Sequence, residues 1–143
     1  MANLKQHLIK KIAQELDAGF DCYYNFKNDE IIAIPHFENY YADEEFEDAF
    51  KAELNLVKTS KDDFVKIEVL KNYESYKIME NFIELVPDAD LKLKLNRVLT
   101  RNKPFMNFKN IIDYSEFRQL WFDFKNRDYE KRVERQLNSL LPE

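Results

Sequence analysis

The sequence predicts an α+β fold: a small three-stranded antiparallel sheet, made of a hairpin plus one strand, packed with a predominantly helical C-terminal half. Three observations predict it. Apolar residues alternate with period two near residues 20–26 and at Val65, Ile67 and Val69, with a β-branched run at 31–34. From residue 72 onward they recur every three or four positions, the period of a helix. Hydrophobic residues make up 45% and charged residues 34% of the 143-residue chain, the balance of one soluble globular domain over 1–143.

Each element has a local cause. Asn3 and Gln6 have capping-box spacing, and Leu4, Leu8, Ile12 and Leu16 then form one stripe of a first helix. Gly19 follows, where the chain can turn left-handed at no steric cost. In residues 20–26, Cys22, Tyr24 and Phe26 alternate with Asp21, Tyr23 and Asn25, which predicts a half-buried strand with the second set toward solvent. Lys27, Asn28, Asp29 and Glu30 supply a turn into the run Ile31, Ile32, Ala33, Ile34, which Pro35 ends. Asp43 is placed to cap a helix carrying Phe46, Phe50, Leu54 and Val57, and the third strand follows at Val65.

The helical half begins with a stripe of Tyr73, Tyr76, Met79 and Ile83, widened by Ile78, Phe82 and Leu85. Pro87 ends that helix and Asp88 caps the next, whose core side is Leu91, Leu95, Val98 and Leu99. Pro104 suits the first position of another helix, with Phe105, Phe108 and Ile112 inward. Ser115 is read as the cap of a helix with Phe117, Leu120, Trp121 and Phe124, and Asp128 as the start of a last one with Tyr129, Val133, Leu137 and Leu140.

Composition removes most catalytic designs. Usage near ~7% would give roughly ten glycines, yet Gly19 stands alone. A dinucleotide fingerprint, a phosphate-cradling loop or a glycine-flanked serine elbow each needs several. One cysteine, Cys22, excludes an internal disulfide and a multi-cysteine zinc site. No apolar run approaches a membrane span, and residues 1–11 lack the apolar core of a secretory signal, so a cytoplasmic location is expected.

Charge is unevenly spread around a net −5. Glu38, Asp43, Glu44, Glu45, Glu47 and Asp48 form an acidic stretch without Lys or Arg. Lys92, Lys94, Arg97, Arg101, Lys103 and Lys109 form a basic one without Asp or Glu.

The strings Ile78-Met79-Glu80-Asn81-Phe82-Ile83, Pro104-Phe105-Met106-Asn107-Phe108-Lys109 and Arg118-Gln119-Leu120-Trp121-Phe122-Asp123-Phe124-Lys125 come in an order that resembles the uncharacterised bacterial family numbered one-five-eight in the UPF series. The resemblance covers residues 3–137 and includes the hairpin and third strand. It implies a fold and a compartment and carries no activity.

No catalytic residue, metal ligand or cofactor is assigned. The acidic stretch has helical spacing and no glycine for a calcium loop. Glu80 and Glu84 share a helix face and suit a surface role or a salt bridge with Lys77. Cys22 has no adjacent cation to favour the thiolate, and a Cys22–His36 dyad lacks an orienting third group. The binding candidates are the six basic residues together with Tyr40, Tyr41 and Phe122, aromatics that fall off the core stripes. The leading reading is a small cytosolic, non-enzymatic interaction or regulatory module with a protein partner. The alternatives are nucleic-acid binding through residues 92–109, with Phe105 and Phe108 interleaved among the cations, and an enzyme with a carboxylate-lined cleft.

Overall fold

A computed structural model describes residues 6–36 and 48–142. The expected roles of Asn3, Leu4, Tyr40, Tyr41, Asp43 and Phe46, and the acidic stretch up to Glu47, lie outside the described residues. The fold is α+β, and its contacts group the chain into two compact units, Met1–Val69 with Tyr129–Glu143, and Leu70–Asp128.

The first unit holds the sheet. Helix α1, Gln6–Asp17, buries Leu8, Ile9, Ile12, Ala13 and Leu16, one face of a 3.6-residue period. It ends at Gly19, whose φ of 96° is the left-handed geometry that glycine adopts without strain. Strands β1 (Phe20–Asn25), β2 (Ile31–Pro35) and β3 (Phe64–Ile67) form an antiparallel sheet in the order β2-β1-β3. The hairpin turn places Asp29 at φ 64°, and the Asn25 side-chain oxygen accepts from the Lys27 and Asn28 amides. The Tyr24 hydroxyl donates to Asp29 Oδ1 at 2.5 Å and ties the turn to the strand.

One face of the sheet is covered, and the other partly, with Lys66 of β3 exposed there. Cys22, Tyr24 and Ile67 pack with α1 and with Val133 and Leu137 in one core. On the opposite face Asp21, Ile32 and Ile34 are also buried, and helix α2, Lys51–Thr59, contacts β2. The continuous apolar run of β2 is therefore the pattern of a strand buried on both sides. This corrects the expected solvent face of β1, where Asp21 is 6% and Asn25 7% exposed. Both polar side chains are buried because backbone amides bond them: Val69 to Asp21, and Lys27 and Asn28 to Asn25.

The second unit is helical. In α3, Asn72–Ile83, the buried residues are Ile78, Phe82 and Ile83. Tyr73 and Leu85, expected on this stripe, are exposed: Tyr73 sits in the first turn, off the 78-82-86 row, and Leu85 lies past the helix end. The Tyr76 hydroxyl donates to the Leu99 carbonyl and fixes α3 to the end of α4, Ala89–Leu99. Asp88 caps α4 by accepting from the Leu91 amide at 3.0 Å. Helix α5, Pro104–Asp113, begins on proline as expected and buries Phe108 and Ile112. Trp121 stands edge-on to Phe82 and to Phe108, with centroids 5.2 and 4.9 Å apart.

Helix α6, Arg118–Leu140, is continuous where two helices were expected. Asp128 lies inside it, not at a start. The apolar stripe changes phase between Phe124 and Tyr129, and in the sequence that phase change looks like a break. No proline or glycine interrupts residues 118–140, so the backbone hydrogen bonds continue. Trp121 packs within the second unit, while Val133 and Leu137 pack within the first.

Candidate functional site: a cationic helical face

The basic residues cluster in the second unit, whose 70–128 segment carries eleven Lys or Arg against nine Asp or Glu. Lys92, Lys94 and Arg97 are on α4, Arg101 and Lys103 in the connection that follows, and Lys109 on α5. Helices α4 and α5 contact one another directly. The helical period explains the exposure: Leu95 and Leu99 are buried, which turns Lys94 and Arg97 outward.

The six cations are not equivalent. Lys92 is half-buried, with its ammonium 3.8 Å from Glu84. Lys94, Arg97, Arg101, Lys103 and Lys109 are exposed, and among the described residues none of these five has an ion pair. Lys103 adopts φ 54°, and the turn before α5 is closed by the Asn107 side chain donating to the Asn102 carbonyl. Asp90, one turn before Lys94, is the acidic group closest in sequence to the cationic row. A contact made to any of these five cations would break no internal ion pair among the described residues.

The aromatic candidates have different settings. Phe122 is half-buried and flanked by cations, with the Arg118 guanidinium 4.8 Å and the Lys125 ammonium 5.1 Å from its ring. Phe108 is fully buried and Phe105 half-buried, so Phe108 cannot interleave with the cations as a surface stacking platform. Leu93 (59% exposed) and Met106 (50%) are the apolar side chains that α4 and α5 do show to solvent. Both lie off the core stripes read from the sequence, but neither was named there as a binding candidate.

A second constellation was not foreseen. On the first unit's sheet, Asp21 Oδ2 lies 2.8 Å from His36 Nδ1, and Asp21 Oδ1 accepts from the Val69 amide at 2.9 Å. A carboxylate only accepts, so Nδ1 carries the proton toward it. The His36 amide also donates to the Gly19 carbonyl. Asp21 thus joins the end of β1, the residue after β2 and the segment leaving β3. The Cys22–His36 dyad is not formed. Successive strand residues face opposite sides, so Cys22 enters the core with its thiol 3.8 Å from the Ile12 carbonyl. Burial, with smaller contributions from Glu15 and Asp21, pushes that thiol up to about 12.

The remaining carboxylates do not converge. Glu80 and Glu84 are both exposed, the surface setting expected of them, and Glu84 lies 3.8 Å from the Lys92 ammonium. Among the described residues no three His, Cys, Asp or Glu side chains are grouped to hold a metal ion. An open hollow of about 500 Å³ on the C-terminal part of α6 is lined by Arg132, Arg135, Gln136, Ser139 and Leu140, a cationic rather than acidic wall. Among the described residues no helix is long and apolar enough to cross a membrane.

Fold and site together define a small α+β protein with a three-stranded antiparallel sheet and exposed cations on its helices. The chain belongs to the Uncharacterised protein family (UPF0158), whose family model matches residues 2–140. The match bears out the resemblance carried by residues 78–83, 104–109 and 118–125. No curated protein and no solved structure matches the chain.

Proposed function

We propose that this protein is a non-enzymatic interaction module of the cytosol that docks a protein partner through Lys94, Arg97, Arg101, Lys103 and Lys109, with Lys92 and Phe122 as bordering contacts. The observation that carries the reading is the set of five exposed cations without an ion pair among the described residues. Internal neutralisation would remove such a surface, and it reaches only Lys92, which pairs with Glu84; Asp113 lies beside Arg118 and Asp88 caps a helix.

Exposed pairs contribute only ~0.2–1 kcal/mol each, so five of them supply weak, salt-sensitive attraction. The test is fluorescence anisotropy with labelled polyglutamate at low salt. Binding is expected, with a steep loss from about 50 to about 200 mM salt as screening shortens the Debye length. Arg97→Glu with Arg101→Glu should abolish it while leaving the circular dichroism spectrum unchanged. No binding by the wild-type chain at low salt overturns the reading, as does binding that the double reversal leaves intact.

A further inference from the structure

We infer that the occupant of this face is an acidic amphipathic helix of the partner protein, one that sets carboxylates beside aliphatic side chains. The inference rests on the docking reading above and specifies the chemistry that the face accepts. Three features point the same way. The cations are exposed and without ion pairs among the described residues. Exposed aliphatic groups stand in helical register with them: Leu93 is four residues before Arg97 on α4, and Met106 is three before Lys109 on α5. Residues three or four apart share a helix face, so each helix presents one apolar and one cationic group side by side. Of the two aromatic rings between Lys103 and Lys109, Phe108 is fully buried and Phe105 half-buried, and the exposed ring of Tyr114 lies past them at the end of α5.

That third feature decides between two anionic partners. A single-stranded nucleic acid gains much of its affinity from bases stacked on exposed aromatic rings. Neither Leu93 nor Met106, the exposed apolar side chains of α4 and α5, offers a π-face. A polypeptide that pairs Glu or Asp with Leu or Ile uses both kinds of group. Its carboxylates meet Lys94, Arg97 and Lys109, and its aliphatic side chains cover Leu93 and Met106. Methionine suits such a surface because its unbranched thioether adapts to differently shaped neighbours. A helix laid against a groove or face reads out at this i, i+3, i+4 spacing.

The experiment uses the full chain and three labelled probes: a synthetic helix with Glu on one face and Leu on the other, a Glu–Ala helix of equal length and charge, and an oligothymidylate. The amphipathic helix is expected to bind roughly tenfold more tightly than the Glu–Ala helix, the gain from covering exposed aliphatic surface. Leu93→Ser with Met106→Ser should erase that advantage and leave the Glu–Ala affinity unchanged; both side chains are at least half exposed, so the fold should survive the change. Equal binding of the two helices overturns the inference and leaves the docking reading standing. Tightest binding of the oligothymidylate overturns both in favour of nucleic acid. Failure of all three probes at low salt removes the face as a site.

Discussion

Replacing Asp21 by Ala should destabilise the protein by about 2–4 kcal/mol, and the figure follows from what its carboxylate holds. Asp21 is 6% exposed and accepts from the Val69 amide and from His36 Nδ1. Leaving a buried donor without an acceptor costs about 1–3 kcal/mol, so two donors give about 2–6. The His36 side chain is 16% exposed, and the water that reaches it brings the total toward the lower half. Asp21→Asn keeps an oxygen for the Val69 amide and should lose only about 1 kcal/mol. In a double-mutant cycle, Asp21→Ala and His36→Ala should couple by about 1 kcal/mol or more, because they remove the same bond. The assay is urea denaturation read by circular dichroism and by the fluorescence of Trp121, the one tryptophan. Trp121 lies in the second unit and Asp21 in the first. With α6 unbroken between them, we expect both signals to shift together, as in a single cooperative domain. A loss below about 0.5 kcal/mol would mean that desolvation of the carboxylate cancels its bonds, and would refute the bridging role. A Trp121 transition that stays in place while the dichroism shifts would refute the single domain.

Further outcomes follow from the core and its thiol. Trp121→Ala should cost about 3–5 kcal/mol, since the ring is 6% exposed and packs edge-on against Phe82 and Phe108; an equilibrium loss below about 1 kcal/mol would place it at the surface. Cys22 should react with a thiol reagent far more slowly in the native chain than in the denatured one, and equal rates would show that it is not in the core. Burial raises the Cys22 thiol from 9.0 to about 12, and burial with the Asp29 bond raises the Tyr24 hydroxyl from 10.0 to about 12. Both folded values lie above the unfolded ones, so their contribution is complete below pH 9 and is lost as pH rises toward about 12. Denaturation midpoints across that range should fall with pH, and Cys22→Ala should flatten the slope; an unchanged slope refutes the assignment to Cys22.

The periodicities of the chain determine its elements before any packing is known. Leu8, Ile12 and Leu16 make α1 amphipathic, Gly19 supplies the left-handed exit, Asp29 accepts the positive φ of the hairpin turn, and Asp88 and Pro104 start their helices where capping chemistry demands. These are local choices, each made within a few residues of backbone. The one basic stretch is equally legible, because charge is a property of the chain. Tertiary structure decided the rest. Asp21 and Asn25 alternate with apolar neighbours and look solvent-facing, yet a second, partly covered face of the sheet buries them, and only Val69 and His36, distant in sequence, tell why Asp21 is tolerated there. The phase shift after Phe124 looks like a helix end, but the two stripes of α6 bury in different units and the backbone continues. Phe108 faces inward as its stripe requires, which removes it as a surface partner for the cations, and Leu93 and Met106, off the core stripes, face water. Which side of an element is inside depends on what packs against it, and that is a contact between distant residues which no local pattern encodes.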